Sequence, residues 1–317
     1  MLDRPLLLIL LAAAVLVAVG GVVFWLKAPA SQVLREVYAT PRPAPEEGGL
    51  RVFHLGHSLV GRDMPAMLAQ LAGKGHGYES QLGWGTTLKQ HWRPDAPIKG
   101  FEEENDHPRF RHAREAVGSG DYDAVVLTEM VEIRDAIRYF DSGTYFAKWA
   151  ALARQANPGA QVFLYETWHQ LDDPDGWLKR LDRDLERYWI DRILLADLRR
   201  NSPARPAYLI PAGQVMAAFV RKLEARGGLG GLTSRADLFR LKENGEVDPI
   251  HINDLGEYLV ALTHYAVIYR ATPVGLPWRL KRADGRPARA PAPEVARLMQ
   301  ETVWQVVRAH PETGVPK

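Results

Sequence analysis

From Arg51 onward, short apolar runs rich in β-branched and aromatic residues alternate with segments of helical spacing, and this alternation constrains the fold most. Strands are predicted over Arg51–Gly56, Tyr78–Leu82, Asp123–Thr128, Gln161–Tyr165 and Ala207–Pro211. Helices are predicted over Met64–Gly73, Gly143–Ala156, Trp177–Arg199, Gln214–Ala225 and Asp254–Tyr269. The first helix puts Met64, Met67, Leu68 and Leu71 on one face, and Asn157-Pro158-Gly159 closes the second. The third strand is apolar throughout, as a strand buried on both faces should be. Strands separated by helices imply crossover connections. The expected fold class is therefore α/β: a three-layer, flavodoxin-like doubly wound sheet of about five parallel strands. No internal repeat is visible, and one domain is the simplest account.

Composition removes several function classes. The chain has 317 residues, 46% hydrophobic and 25% charged, which excludes a disordered or low-complexity protein. Lys plus Arg number 40 against 38 Asp plus Glu, too even for a nucleic-acid binder working through a broad basic face. The absence of cysteine excludes disulfides, thiolate zinc sites, iron–sulfur clusters and a cysteine nucleophile.

Leu6–Leu26 is a run without a charge, bracketed by Arg4 and Lys27. As a helix at 1.5 Å per residue it spans about 30 Å, the hydrocarbon thickness of a bilayer. Residues 1–30 are expected to be an N-terminal membrane anchor, a single pass in the inner (cytoplasmic) membrane with the folded domain outside the cytoplasm. A signal peptide cleaved at Ala28-Pro29-Ala30 is the competing reading, although its apolar run would exceed the usual h-region. Residues 31–50, with Pro41, Pro43 and Pro45, read as a stiff Pro-rich tether. The domain is then 51–317, with a basic extension from about residue 273. That extension is expected to be a solvated connector leading to a last helix, Pro293–Ala309, that packs back. A basic surface for anionic lipid is the sharper alternative.

In doubly wound sheets the ligand sits outside the carboxyl ends of the strands, so reactive side chains just after strand ends matter most. Ser58 follows the first strand in Leu55-Gly-His-Ser-Leu59, where it serves as a nucleophile or as a helix-capping serine. Asp248-Pro-Ile-His251 puts a carboxylate three residues before an imidazole, a spacing that lets Asp accept from Nδ1–H and frees Nε2 for a serine proton. A plain surface turn is the alternative. Gly83-Trp-Gly85-Thr-Thr follows the second strand, where a glycine amide can approach an oxyanion or simply make a turn.

In this order, over roughly Arg51–Arg270, the fragments resemble the SGNH, or GDSL-like, hydrolase superfamily. The first block is similar to that of little-characterised bacterial members that carry Gly-Asn-Ser, with Gly-His-Ser here. Trp84-Gly-Thr-Thr-Leu88 followed by His91 resembles the second block of those members, and Asp248, His251, Asn253 and Gly256 the last. The resemblance implies catalysis by Ser58, His251 and Asp248, with oxyanion donors at Ser58 and Gly85. The third block departs from it: Leu127-Thr-Glu-Met130 stands where the family has an oxyanion asparagine. Thr128 offers a hydroxyl, and Glu129 is expected to bind substrate or to donate if protonated.

Tyr165-Glu-Thr-Trp-His169 follows the fourth strand. Trp168 is expected to wall a sugar ring, and His169 to bond to substrate or replace His251 as base. A packed aromatic and a satisfied histidine are the alternatives. With Trp84 and Trp92 nearby, the expected substrate is an acyl ester of a carbohydrate, polysaccharide or small molecule. No metal site or cofactor is expected, because the other histidines fit no ligand spacing. The reading is an extracytoplasmic serine esterase. Its rivals are an O-acetyltransferase acting on cell-envelope polysaccharide, a non-catalytic glycan-binding or assembly protein, and a lysophospholipase.

Overall fold

The computed structural model describes residues 29–45, 48–201 and 204–317. The run Leu6–Leu26, expected to anchor the chain, lies outside them; among the described residues no helix is long and apolar enough to cross a membrane. The central sheet has five parallel strands: β1 (Arg51–Leu55), β2 (Gly77–Gln81), β3 (Ala124–Leu127), β4 (Gln161–Glu166) and β5 (Tyr208–Pro211). Their order is β2-β1-β3-β4-β5. The chain steps from β1 to one edge, returns past β1 and then winds the other way. That reversal is the doubly wound, flavodoxin-like order, and it opens a crevice above β1 and β3.

The helices are α1 (Ala30–Val37), α2 (Asp63–Ala72), α3 (Leu88–Trp92), α4 (Phe101–Asn105), α5 (Ala113–Ser119), α6 (Ile133–Phe140) and α7 (Ser142–Ala156). Then come α8 (Trp177–Asp184, Leu185–Leu194 and Leu195–Arg200 in succession), α9 (Ala212–Ala225), α10 (Asp254–Ile268) and α11 (Pro293–Ala309). One layer is formed by α2, α9, α10 and α11, which pack on one another; α5, α7 and α8 form the other. A hairpin, β6 (Phe239–Leu241) with β7 (Val247–Ile252), precedes α10. Each expected strand and long helix forms, with ends within two residues of the expected ones.

The pleat explains how β1 serves two layers. Val52 and His54 point to one face and Phe53 and Leu55 to the other, all buried. Phe53 meets Tyr122 below the sheet, while His54 meets His264 of α10.

Three features differ from the sequence reading. The middle segment of α8 is π-helical. Its buried residues Leu185, Trp189, Ile190, Ile193 and Leu194 recur every four to five positions, and the wider turn keeps them on one face. The tether is not free of structure. Val33 and Tyr38 are buried, the Tyr38 hydroxyl donates to the Ala207 carbonyl at 2.6 Å, and Arg42 is buried too. Its guanidinium donates to the carbonyls of Val267 and Ile268 at the end of α10 and lies over the rings of Phe163 and Tyr208. The prolines hid an apolar stripe, Val33, Leu34, Val37 and Tyr38, at helical spacing. Finally, the basic connector bends over the site. Arg282 pairs with Asp254 at 2.7 Å, the Ala283 amide donates to Asp63, and α11 buries Val295, Met299 and Val303 against the body.

Buried titratable groups give the fold a definite pH response. Burial pushes His57, His76, His91, His169 and His264 down to about 4. It pushes Glu129 up to about 7, and Glu166 and Glu257 up to about 8. Between about pH 4.5 and 6.5 the unfolded chain binds histidine protons that the folded one refuses, and the glutamates act in the opposite sense on fewer groups. Stability therefore rises with pH to about 6.5. Above that, only the glutamates count: the unfolded chain has released their protons and the folded one still holds them, so stability falls towards pH 8. Thermal denaturation followed by circular dichroism from pH 4 to 9 should give a maximal Tm near pH 6.5. A plateau from pH 4 to 8 would contradict the burial of these groups.

Candidate active site

A cleft of about 1330 Å³ lies across the carboxyl ends of the strands. Ser58 enters it from the turn after β1, Gly85 from the turn after β2, and Asp248 and His251 from β7. The Ser58 hydroxyl lies 3.1 Å from His251 Nε2, and His251 Nδ1 lies 2.9 Å from Asp248 Oδ2. With Nδ1–H donating to the carboxylate, the Nε2 lone pair faces the serine proton. Asp248 Oδ1 accepts the amides of Ile250 and His251 at 2.9 and 3.0 Å. Burial works to raise this carboxyl, but the amides of His251 and Ile250 and the His251 ring outweigh it and hold it below the usual carboxylate range. It stays charged where an imidazolium would need it.

The turn carrying Ser58 is held by two neutral imidazoles. His57 Nε2 donates to the Glu129 carbonyl at 2.8 Å, and its Nδ1 accepts the Leu59 amide at 3.3 Å. His91 Nε2 donates to the Gly56 carbonyl at 2.7 Å, and its Nδ1 accepts from the Gln81 side chain at 2.8 Å. Gly56 is required by close approach: a Cβ there would fall 2.4 Å from Thr128 Cγ2. Gly85 sits at φ +57, in the left-handed region that favours glycine. Among the described residues, no protein acceptor takes the amide of Ser58 or of Gly85. Both residues line the cleft.

The structure moves five expected residues out of the cleft. Thr128 is buried and its hydroxyl donates to the Tyr165 carbonyl at 2.7 Å, so it is no oxyanion donor. Glu129 is fully buried; Oε1 accepts the amides of Met130 at 2.9 Å and Leu88 at 3.4 Å. It does not line the cleft, and its burial outweighs those amides and the nearby Ser142 hydroxyl to raise it to about 7. Trp168, 0% exposed, cannot wall a sugar. Its indole donates to the Ile250 carbonyl at 2.8 Å, and the Leu171 amide donates to the Pro249 carbonyl at 2.8 Å. His169 is buried against Asp184, with Nε2 3.3 Å from Oδ2, and is too enclosed to replace His251. Trp92 packs edge-on against Trp149 instead of lining the cleft. Of the expected aromatic residues, Trp84 alone lines the cleft.

Position explains these corrections. The segment after β4 turns inward before α8, where the buried Arg180 guanidinium gathers Glu132, Asp173 and Asp184. Residues missed by the sequence reading include Arg240, in the cleft, whose guanidinium lies 3.4 Å from Glu257. Burial outweighs the pull of Arg240 and raises Glu257 to about 8, and Arg240 Nε also donates to the Ile252 carbonyl at 2.7 Å. Asn105 pins the exit of β2, accepting the Leu82 amide and donating to its carbonyl. Neither has a local sequence signature.

Substitutions at two positions test these contacts. Trp168→Phe keeps an aromatic ring but orphans the Ile250 carbonyl beside His251; kcat at the Ser58–His251 centre should fall about tenfold at nearly constant KM. Glu129→Gln keeps the acceptor for Leu88 and Met130, so kcat should stay within about threefold, whereas Glu129→Leu should lose about 100-fold by freeing the oxyanion loop. Steady-state kinetics read both, and equal loss in the Gln and Leu variants would show that the charge of Glu129 matters.

No family model matches the chain, and no curated protein matches its sequence. Solved structures do align with it. A DUF4886 family protein from Bacteroides uniformis is 12% identical, with a TM-score of 0.49 over 83% of this chain and 96% of that one. A carbohydrate esterase family 2 enzyme with a carbohydrate-binding domain, from Corynascus thermopiles (Myceliophthora fergusii), is 12% identical, with a TM-score of 0.33 over 72% of this chain and 67% of that one.

Proposed function

We propose that the chain is a serine esterase of the SGNH type that removes acetyl or other short acyl groups from a carbohydrate. The observation that carries this reading is the unbroken hydrogen-bond path from Ser58 Oγ through His251 to Asp248, inside the cleft at the carboxyl ends of the sheet. Ser58 Oγ attacks the ester carbonyl carbon while His251 Nε2 takes the hydroxyl proton. The oxyanion is held by the amides of Ser58 and Gly85, and Asp248 stabilises the imidazolium. Collapse breaks the bond to the alcohol oxygen, which receives the proton from Nε2. Water then attacks the acyl-serine, gives one proton to Nε2, and the proton returns to Ser58 as the acid leaves.

Charged groups among the cleft's apolar residues favour this substrate over a lysophospholipid, which needs a wide apolar groove. The walls carry Arg62, Glu103, Asp106, Arg109 and Arg240. The reading includes a membrane anchor at Leu6–Leu26 and a catalytic domain outside the cytoplasm, which rest on the uncharged run alone. A non-catalytic role is disfavoured by the 3.1 Å contact, since a degenerate site has no reason to keep serine within reach of the imidazole.

A fluorophosphonate probe should label the wild-type protein, and Ser58→Ala should abolish both labelling and hydrolysis of a short-chain ester with Tm shifted by no more than about 2 °C. Wild-type protein that neither labels nor hydrolyses would sink the esterase reading.

A further inference from the structure

We infer that Trp84 is the platform on which the alcohol half of the substrate lies, and that this half is a pyranose ring stacked by its C–H face on the indole; the chemistry, but not the binding, rests on the esterase reading above. Trp84 is 50% exposed, unlike Trp149, Trp168, Trp177 and Trp189, which are buried. Its exposure is built in rather than incidental. A Cβ on Gly100 would fall 2.2 to 2.6 Å from the indole atoms Cδ2, Cε2 and Cγ, so one face of the ring lies directly on the Gly100 backbone. Gly100 has φ +64, a second reason for glycine at that position. The indole N–H donates to Glu104 Oε1 at 2.9 Å, and the Trp84 amide donates to the Lys99 carbonyl at 2.7 Å. Face, edge and backbone are therefore fixed before any ligand arrives.

A rigid aromatic face left open to water forgoes burial it would otherwise gain, and regains it only with a ligand. The open indole belongs to the residue before Gly85 and lines the same cleft as Ser58 and His251. The indole N–H meets Glu104, and the cleft also carries Glu103, Asp106 and Arg109, groups that bond to hydroxyls. One flat apolar face combined with a hydroxyl-bearing rim is the chemistry of a sugar ring. A fatty chain has no use for such a rim, and a simple alkyl alcohol has no use for either feature.

The test compares an O-acetylated methyl pyranoside with ethyl acetate, in wild-type protein, Trp84→Ala and Trp84→Phe. On the pyranoside, Trp84→Ala should lower kcat/KM about tenfold, through KM, while Trp84→Phe retains most of the activity. On ethyl acetate, which has no ring to stack, both variants should lose clearly less, no more than about threefold. Equal loss on the two esters would overturn the inference, since Trp84 would then act only by shaping the Gly85 turn. Acetylcholine preferred to the pyranoside in a Trp84-dependent way would overturn it too, by making the indole a cation site. If wild-type protein hydrolyses nothing, saturation-transfer NMR of the methyl pyranoside with Ser58→Ala protein decides separately. Transfer to the ring C–H protons that is lost in the Ser58→Ala, Trp84→Ala double variant would uphold the platform while the esterase reading fails. No transfer to either would overturn it.

Discussion

The site depends on two buried imidazoles that must stay neutral. His57 and His91 each donate from Nε2 to a backbone carbonyl and accept at Nδ1, His57 from an amide and His91 from a side-chain amide. A proton on either Nδ1 would set donor against donor, so only one tautomer fits each position. Burial enforces this, holding both near 4 against the weaker pull of their carbonyl partners. Together they fix Gly56 and His57, the residues that precede Ser58. Because the turn is set from below, the serine needs no strained support of its own to meet His251.

The second half of the site is built from a different part of the chain, by a different physical device. Asp248 and His251 lie on a hairpin strand outside the main sheet, and alone that strand would be weakly placed. It is tied to the sheet through the segment after β4: Trp168 and Leu171 donate to the carbonyls of Ile250 and Pro249. That segment is itself fastened to α8, where Trp177 donates to the His169 carbonyl and Asp184 meets the His169 ring. On the far side Asn253 caps α10 through the amides of Leu255 and Gly256, and bonds the carbonyls of Asp237 and Phe239. The imidazole is held between a buried ionic cluster and a helix start.

How much of this was legible in the sequence follows from the range of each interaction. The strands and long helices were legible because periodicity is local, and Ser58 and Gly85 because they sit beside strand ends; Asp248 and His251 were legible only as a spacing, not as part of the hairpin strand that carries them. The role of Trp168 was not. Its position after β4 suggested the cleft, but whether its side chain turns outward or under the next strand depends on Ile250, 82 residues away. The same holds for Arg42, whose acceptors at Val267 and Ile268 are more than 200 residues distant. An arginine between prolines carries no mark of such a partner.

Glu129 shows what the departure from asparagine exchanges. A side-chain amide aimed into the hole would add a third donor, and one such donor is worth about 100- to 1000-fold in rate. Glu129 instead points inward, and its two ends serve both remaining donors: the backbone carbonyl receives His57, next to Ser58, while the carboxyl receives Leu88, at the end of the loop that carries Gly85. A charged carboxylate beside an oxyanion would oppose it, by several kcal/mol where water is excluded. Burial answers this twice, by turning the group away and by raising it to about 7, so that near neutral pH much of it carries no charge. On the proposed esterase reading the oxyanion is held by two amides, and Glu129 ties together the segments that carry them.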